Sequence, residues 1–367
     1  MSDWFAVENL EEVPSPALLV YPERIRENIH HMVGVAGGAN RLRPHIKTHK
    51  MAEVVRMQIK EGISKLKCAT IAEAEMAASA GAKDVLVAYP IVGPNAARLL
   101  ALVQGFPTTA FSCVADDESA IQSLSKAFAN SESKLEVLLD VDCGQHRTGI
   151  PPGAGAKHLY GLIATAPGLK PGGLHVYDGH IHESDLAKRT ELCAAAFSPI
   201  DAFCSELRSA GRAVPRVVAG GTPTFPIHAK NNAFECSPGT CVLWDFGYET
   251  SFADLDFEIA ALVLTRVVSK PGGNRLCVDL GHKAIASENP PPRVEFLNLP
   301  GAKAISHNEE HLVIETPEAE RYSVGDCLFG APRHICPTVA LYSEATVVRD
   351  RRAVEHWQIA RSRRLTI

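Results

Sequence analysis

No stretch of this 367-residue chain stays apolar for the roughly 20 residues that a bilayer-spanning helix needs. It also lacks a charge excess: 37 basic residues face 42 acidic ones, a net charge of −5. That balance excludes nucleic acid and anionic membrane as partners for the chain as a whole. Ten cysteines are scattered from Cys68 to Cys336, and no pair has CxxC spacing. In a chain this long they read as reduced, small, buried residues. The opening "MSDWFAVENLEEVPSP" is acidic and has no apolar signal segment, so the cytoplasm is the expected location. Repeats and low-complexity segments are absent as well.

What the chain does have is an alternation. Eight short apolar runs fall between about 22 and 250: LRPHIKT (42–48), KLKCAT (65–70), DVLVAYP (84–90), TAFSCVAD (109–116), KLEVLLDVD (134–142), GLHVYDG (173–179), PRVVAGG (215–221) and AFECSPGT (233–240). Helix-like segments such as "TIAEAEMAASAGA" separate most of them. That pattern implies parallel βα units, and eight is the number that closes a (β/α)8 TIM barrel. A doubly wound open sheet is the alternative. Beyond 250 the texture turns strand-like, as in "FEIAALVLTRVVSK" and "EATVVRDRRAVEHWQIARS". "ALLVYP" (17–22) has no barrel partner left. The expected organisation is a barrel over 22–250 and a mostly β domain built from 1–21 with 251–367.

Barrel enzymes work at the C-terminal ends of their strands. The first run ends at Lys47, the fifth is followed by Arg147, and the sixth ends in Tyr177, Asp178, Gly179 and His180. The seventh and eighth end in glycine-rich turns holding Gly220, Gly221, Thr222, Gly239 and Thr240. Paired turns of this kind expose backbone N–H groups, the usual phosphate cradle of a barrel. In "RLRPHIKTHK" a period of two puts Arg43, His45 and Lys47 on one face and Leu42, Pro44 and Ile46 on the other. The surrounding helices want the apolar face, so the basic set points inward. A salt-bridged structural lysine is one reading of Lys47. The other is an amine that forms an imine with a carbonyl group. A phosphate cradle facing such an amine suggests pyridoxal 5′-phosphate. In "PRHICPTV", His334 and Cys336 are two apart and share a face on an extended strand. Imidazole plus thiol suits a divalent ion such as Zn²⁺; ordinary packing is the alternative.

These stretches also carry a resemblance. "SPALLVYPERIRENIHHM", "RPHIKTHK", "KCATIAEAEMAASAGAKDVLVAYP", "LLDVDCGQHRTGI", "GLHVYDGH", "AGGTPTF", "DLGHKAIASE" and "PRHICPTV", in this order, resemble the D-threonine aldolase and D-serine dehydratase family. Those are fold-type III pyridoxal phosphate enzymes, similar in architecture to alanine racemase. The resemblance implies a barrel plus a β domain, a homodimer, and pyridoxal phosphate on a lysine. It also implies a divalent metal (Zn, Mn or Mg) near the cofactor and a D-β-hydroxy-α-amino acid as substrate. By the same resemblance Lys47 is the cofactor lysine, Arg147 lies near the cofactor's phenolic oxygen, and Tyr177 contacts the ring or substrate. Gly220, Gly221, Thr222, Gly239 and Thr240 match phosphate-binding turns, and His334 with Cys336 matches a metal pair. The aldolases of this family mostly show Asp at the second metal position and the dehydratases Cys, whereas "HVYDGHIH" is closer to the aldolase branch.

Two reactions therefore stay open. In one, a base takes the β-hydroxyl proton, so that Cα–Cβ breaks and glycine and an aldehyde leave: retro-aldol cleavage, with His180 as candidate base. Alternatively Lys47 takes the Cα proton and hydroxide leaves, giving a 2-oxo acid and ammonia. The aldolase is the favoured expectation. A non-catalytic carrier and a plain racemase are disfavoured, because neither needs a metal pair beside the cofactor.

Overall fold

The computed structural model describes residues 4–367. In chain order the strands are β1 (Ala17–Val20), β2 (Lys65–Cys68), β3 (Asp84–Val87), β4 (Ala110–Ala115), β5 (Leu135–Asp140), β6 (Leu169–Val176), β7 (Val217–Ala219) and β8 (Phe234–Cys236). There follow β9 (Ala261–Gly272), β10 (Arg275–Val278), β11 (Val294–Phe296), β12 (Lys303–His307), β13 (Leu312–Glu315), β14 (Cys327–Pro332), β15 (Glu344–Arg349) and β16 (Arg352–Gln358). The chain packs as two compact units. One holds His31–Lys47, Val55–Gly239 and Ser362–Ile367; the other holds the residues up to His30, Thr48–Val54 and Thr240–Arg361. Residues 22–30 and 240–250, read from sequence texture as barrel, thus pack with the β unit.

The first unit is a curled, all-parallel sheet in the order β2-β3-β4-β5-β6-β7-β8. The expected eighth strand, 42–48, is not a regular strand. Pro44 has no N–H to donate and the chain turns from Ile46, so only isolated bridges form, Leu42 to Cys236 and His45 to Lys67. Those bridges reach both edges of the sheet. Arg43 N–H donates to Cys236 O (2.8 Å), and Lys67 N–H donates to Pro44 O (2.9 Å). The segment therefore closes the curl as an irregular eighth stave, and the barrel reading of the fold holds.

Register and period two sort the interior into three layers. At the N-terminal end lies a charge layer. Arg43 is fully buried and forks onto Asp84 (2.7 and 2.9 Å), and its Nε donates to Glu235 (2.7 Å). Lys65 bonds the same Glu235 (2.7 Å), while Arg216 pairs with Glu136. Leu86, Val114, Leu138 and Val218 form the buried apolar layer above it. Beyond that layer, Lys67, Asp140 and His175 are buried polar residues near the C-terminal ends. One device sets the last of these. Val137 pairs with Pro171 but Leu138 pairs with Gly173, so β6 carries one extra residue. Gly173 sits at φ +104°, and a Cβ there would lie 2.0 Å from Arg216 O. The bulge turns His175 and Tyr177 inward.

The other unit is a nine-stranded sheet. Its main path is β12-β13-β10-β9-β1-β15-β16, and β14 pairs with both β9 and β11. β1 runs antiparallel to β9 and parallel to β15. Among the described residues no helix is long and apolar enough to cross a membrane.

Arg43→Met would leave Glu235 only Lys65 and Asp84 only the more distant Arg216 (3.7 Å) as charge partners. It should lower the unfolding free energy by about 3 kcal/mol, measured by urea denaturation. A loss of under about 1 kcal/mol would mean that the charge layer does not hold the barrel.

Candidate active site

Lys47, Lys67, Arg147, His45, His175 and Tyr177 line a cavity of about 490 Å³ within the barrel unit. Three cations gather at one aromatic ring. Lys47 Nζ lies 6.0 Å, Lys67 Nζ 5.8 Å and Arg147 Cζ 5.0 Å from the Tyr177 ring centre. Among the described residues no carboxylate lines this cavity. Burial and the neighbouring Lys47 ammonium push the Lys67 amine down to about 7, against the pull of Asp140 and Asp178.

His175 and Asp140 form a buried dyad, Nδ1 to Oδ1 at 2.7 Å. Burial opposes the Asp140 charge, but the His175 contact, the Thr148 hydroxyl (3.0 Å) and the Lys67 cation hold its carboxyl below the usual range. Burial lowers His175 in turn. The proton therefore sits on Nδ1 and is donated to an ionised carboxylate, which leaves Nε2 a bare acceptor. That atom is buried and has no hydrogen-bond partner.

The two glycine turns meet. Gly239 N–H donates to Thr222 Oγ1 (3.0 Å). Gly220 stands at φ +71°, where a Cβ would come 2.5 Å from His228 Cδ2; a Cβ on Gly221 would come 3.0 Å from the Tyr177 ring. Behind the first turn, Asp178 accepts from the Thr224 hydroxyl (2.9 Å) and from His228 Nε2 (2.7 Å). Cys193 joins them, and the donor atoms of Asp178, Cys193 and His228 lie within 4.8 Å of one another. Burial drives that thiol up to about 12, so it is a neutral packing group.

His180, read as the base, is not among the cavity-lining residues. Its Nε2 is turned toward Gly144, only 3.0 Å from where a Cβ would stand there. The peptide after the sixth strand, Tyr177 to His180, turns away from strand geometry, and that carries His180 off the inward face.

In the β unit His334 and Cys336 do come together, but not on a strand. β14 ends at Pro332, and Ile335–Val339 form one short helix, capped where Ile335 N–H donates to Asp245 (3.0 Å). Pro337 in its first turn needs no N–H partner, which is why an apparently extended "HICPT" turns helical. Burial works against the His334 imidazolium, yet its hydrogen bond to the Cys336 sulfur raises it to about 9. The same bond lowers the thiol, against burial. Thr48 Oγ1 lies 3.1 Å and Thr240 Oγ1 3.5 Å from Cys336 Sγ. Thr240, expected in a phosphate turn, thus contacts Cys336. Glu288 stands 2.6 Å from His334 Nδ1.

Lys67 and His175 escaped the sequence reading. The alternation that turned Lys47 inward applies equally to Lys65 and Lys67 in "KLKCAT" and would have found Lys67. His175 depends on the β6 bulge, which no sequence pattern announced.

A parallel barrel whose interior carries two lysines, and a β unit with a His–Cys pair, together match an alanine racemase-like architecture. The alanine racemase N-terminal domain family matches residues 20–245, and a putative serine dehydratase domain matches residues 260–348. The chain belongs to this alanine racemase-like family, in its D-threonine aldolase and D-serine dehydratase branch. It is 29% identical to a D-threonine aldolase from an Arthrobacter species, over 96% of this chain and 93% of that protein. The crystal structure of D-threonine aldolase from Filomicrobium marinum superposes with a TM-score of 0.89 at 28% identity, covering 96% of each chain. D-threo-3-hydroxyaspartate dehydratase superposes at 0.82 with 24% identity, over 95% of this chain and 98% of that one, in a cysteine-to-alanine variant described as metal-free. A second variant of that enzyme replaces a histidine two positions earlier. The chain is thus an enzyme of a pyridoxal-phosphate lyase family whose members include aldolases and dehydratases.

The lowered amine of Lys67 predicts a pH effect on stability. Its folded value of about 7 lies below the unfolded value. Stability therefore climbs as pH rises from about 7 toward the ordinary lysine range, at up to ~1.4 kcal/mol per unit, and stays at its minimum below that window. Lys67→Met should remove this slope and be the more stable protein at neutral and acid pH. Parallel denaturation curves for parent and variant at every pH would contradict it.

Proposed function

We propose that this chain is a pyridoxal-phosphate- and metal-dependent lyase that cleaves D-β-hydroxy-α-amino acids to glycine and an aldehyde. The observation that carries the reading is an inward lysine, Lys47, in a cavity with two further cations and, among the described residues, no lining carboxylate. That donor set fits an anionic aldehyde. The glycine turn at Gly220 and Gly221, too close to His228 and Tyr177 for side chains, fits a phosphate cradle. The depressed Cys336 thiol beside His334 fits a divalent ion.

On this reading Lys47 holds the cofactor through its Nζ, with Arg147 and Tyr177 beside it. Thr222, Gly220, Gly221 and Gly239 take its phosphate. Pyridoxal phosphate, when bound, supplies an electron sink for the bonds at an amino acid's Cα. A divalent ion on His334 and Cys336 would acidify a hydroxyl that it binds. The protein's own contribution is to choose the bond that breaks. Removal of the β-hydroxyl proton by a cavity base releases the aldehyde, and a proton returned to Cα completes glycine. His45, Lys67 and His175 line the cavity and are placed to hold or move such protons, whereas His180 is not. The full-length likeness to D-threonine aldolases supports this outcome.

One observation favours a second reading, β-elimination to a 2-oxo acid and ammonia. The His334–Cys336 spacing equals that of the histidine and cysteine replaced in the dehydratase variants. Incubation with D-threonine separates the two. Glycine with acetaldehyde is expected; 2-oxobutanoate with ammonia would replace the aldolase by the dehydratase. Lys47→Ala should lose the visible absorbance of covalently held cofactor along with all but a trace of turnover. Retention of that band would sink Lys47 as the cofactor lysine.

A further inference from the structure

The cavity holds two amines, and the proposed reaction uses only one. Lys67 projects from β2 into the same space as Lys47, is 2% exposed, and stands as near the Tyr177 ring as Lys47 does. A lysine is among the costliest residues to bury, and here no fork of carboxylates holds it as Asp84 and Glu235 hold Arg43. Its surroundings come from several elements. The closing segment contributes Arg43, His45 and Lys47. β5 contributes Asp140, and Arg147 follows beyond it. β6 and its end contribute His175, Tyr177 and Asp178. The cations disfavour a second ammonium in this space, and the carboxylates of Asp140 and Asp178 keep one attainable. Nearby, the unpartnered Nε2 of His175 offers a lone pair that only a donor can satisfy.

An amine attacks an aldehyde only as the free base, so Lys47 must shed a proton inside a space lined by cations. Resting on the reading of Lys47 given above, we propose that Lys67 is a positioning residue that accepts this proton and acts through Lys47. One N–H bond of Lys47 breaks and one forms on Lys67; the positive charge moves with the proton, and no other reactant is consumed. The Lys67 ammonium so formed lies in the field of Asp140 and Asp178, and His175 Nε2 is the acceptor available to it. With its amine pushed down to about 7, Lys67 is partly the free base at neutral pH and so has a lone pair to take the proton.

The test follows cofactor uptake rather than turnover. Full-length protein stripped of cofactor is mixed with pyridoxal phosphate, and the visible absorbance is recorded against time from mildly acid to alkaline pH. In the parent the uptake rate should fall through an inflection near neutrality, where Lys67 becomes protonated. Lys67→Met and Lys67→Arg should both load roughly a hundredfold more slowly at neutral pH and show no such inflection, since neither can accept a proton. Carbon-13 NMR of labelled lysines in the stripped parent should show one side chain titrating near neutrality, missing from Lys67→Met. An inflection that survives in both variants, or lysine signals that all titrate in the ordinary range, overturns the inference while leaving Lys47 its role. A parent that never gains the visible band refutes the Lys47 reading, and this inference with it.

Discussion

An arginine buried between two carboxylates makes the rest of this structure possible. The segment that ends in Lys47 cannot be an ordinary strand, because Pro44 denies it a ladder hydrogen bond. What fixes it in the gap between β8 and β2 is Arg43, anchored on Asp84 from β3 and Glu235 from β8. A bidentate guanidinium is directional in a way that apolar packing is not. It sets the height and rotation of the segment, and four residues further on that rotation decides where an amine points.

The layering of the barrel then divides the labour. Charges at one end are satisfied by one another, the apolar middle separates the two polar ends, and the other end keeps its cations without lining carboxylates. Mutual satisfaction yields a rigid base. Incomplete satisfaction yields a place where an anion is stabilised and where protonation states lie close in free energy. The same residue types serve opposite purposes because their neighbours differ. Arg43 and Lys67 are both fully interior cations, yet only the arginine is surrounded by its counter-charges.

Much of this was legible in the chain. Eight runs with helical spacers gave the barrel, and alternation in "RLRPHIKTHK" gave the inward face of Arg43, His45 and Lys47, because burial of one face leaves a period of two. The first glycine turn was legible because Gly220 stands at a positive φ that glycine adopts most readily. What stayed hidden depends on interactions that sequence spacing does not record. The "HICPT" stretch looks extended, but the Asp245 carboxylate, ninety residues earlier, nucleates a helical turn there. His180 follows a strand end in sequence, yet the turn after Tyr177 faces it toward Gly144. Thr240 sits one residue past a phosphate-type turn and nevertheless lies against Cys336.

The extra residue in β6 carries its effect down the strand. Every side chain beyond it owes its direction to the bulge that sets Gly172 outside the ladder. Were Gly172 drawn into the ladder, pairing with Leu138 in place of Gly173, every later residue would shift by one. Leu174 and Val176 would then face the cavity, and His175 and Tyr177 would face the helices. A polar interior would become an oily one with no chemically active residue replaced. In this strand the chemistry is stored as a register, so the groups that hold the bulge matter to the site without touching it.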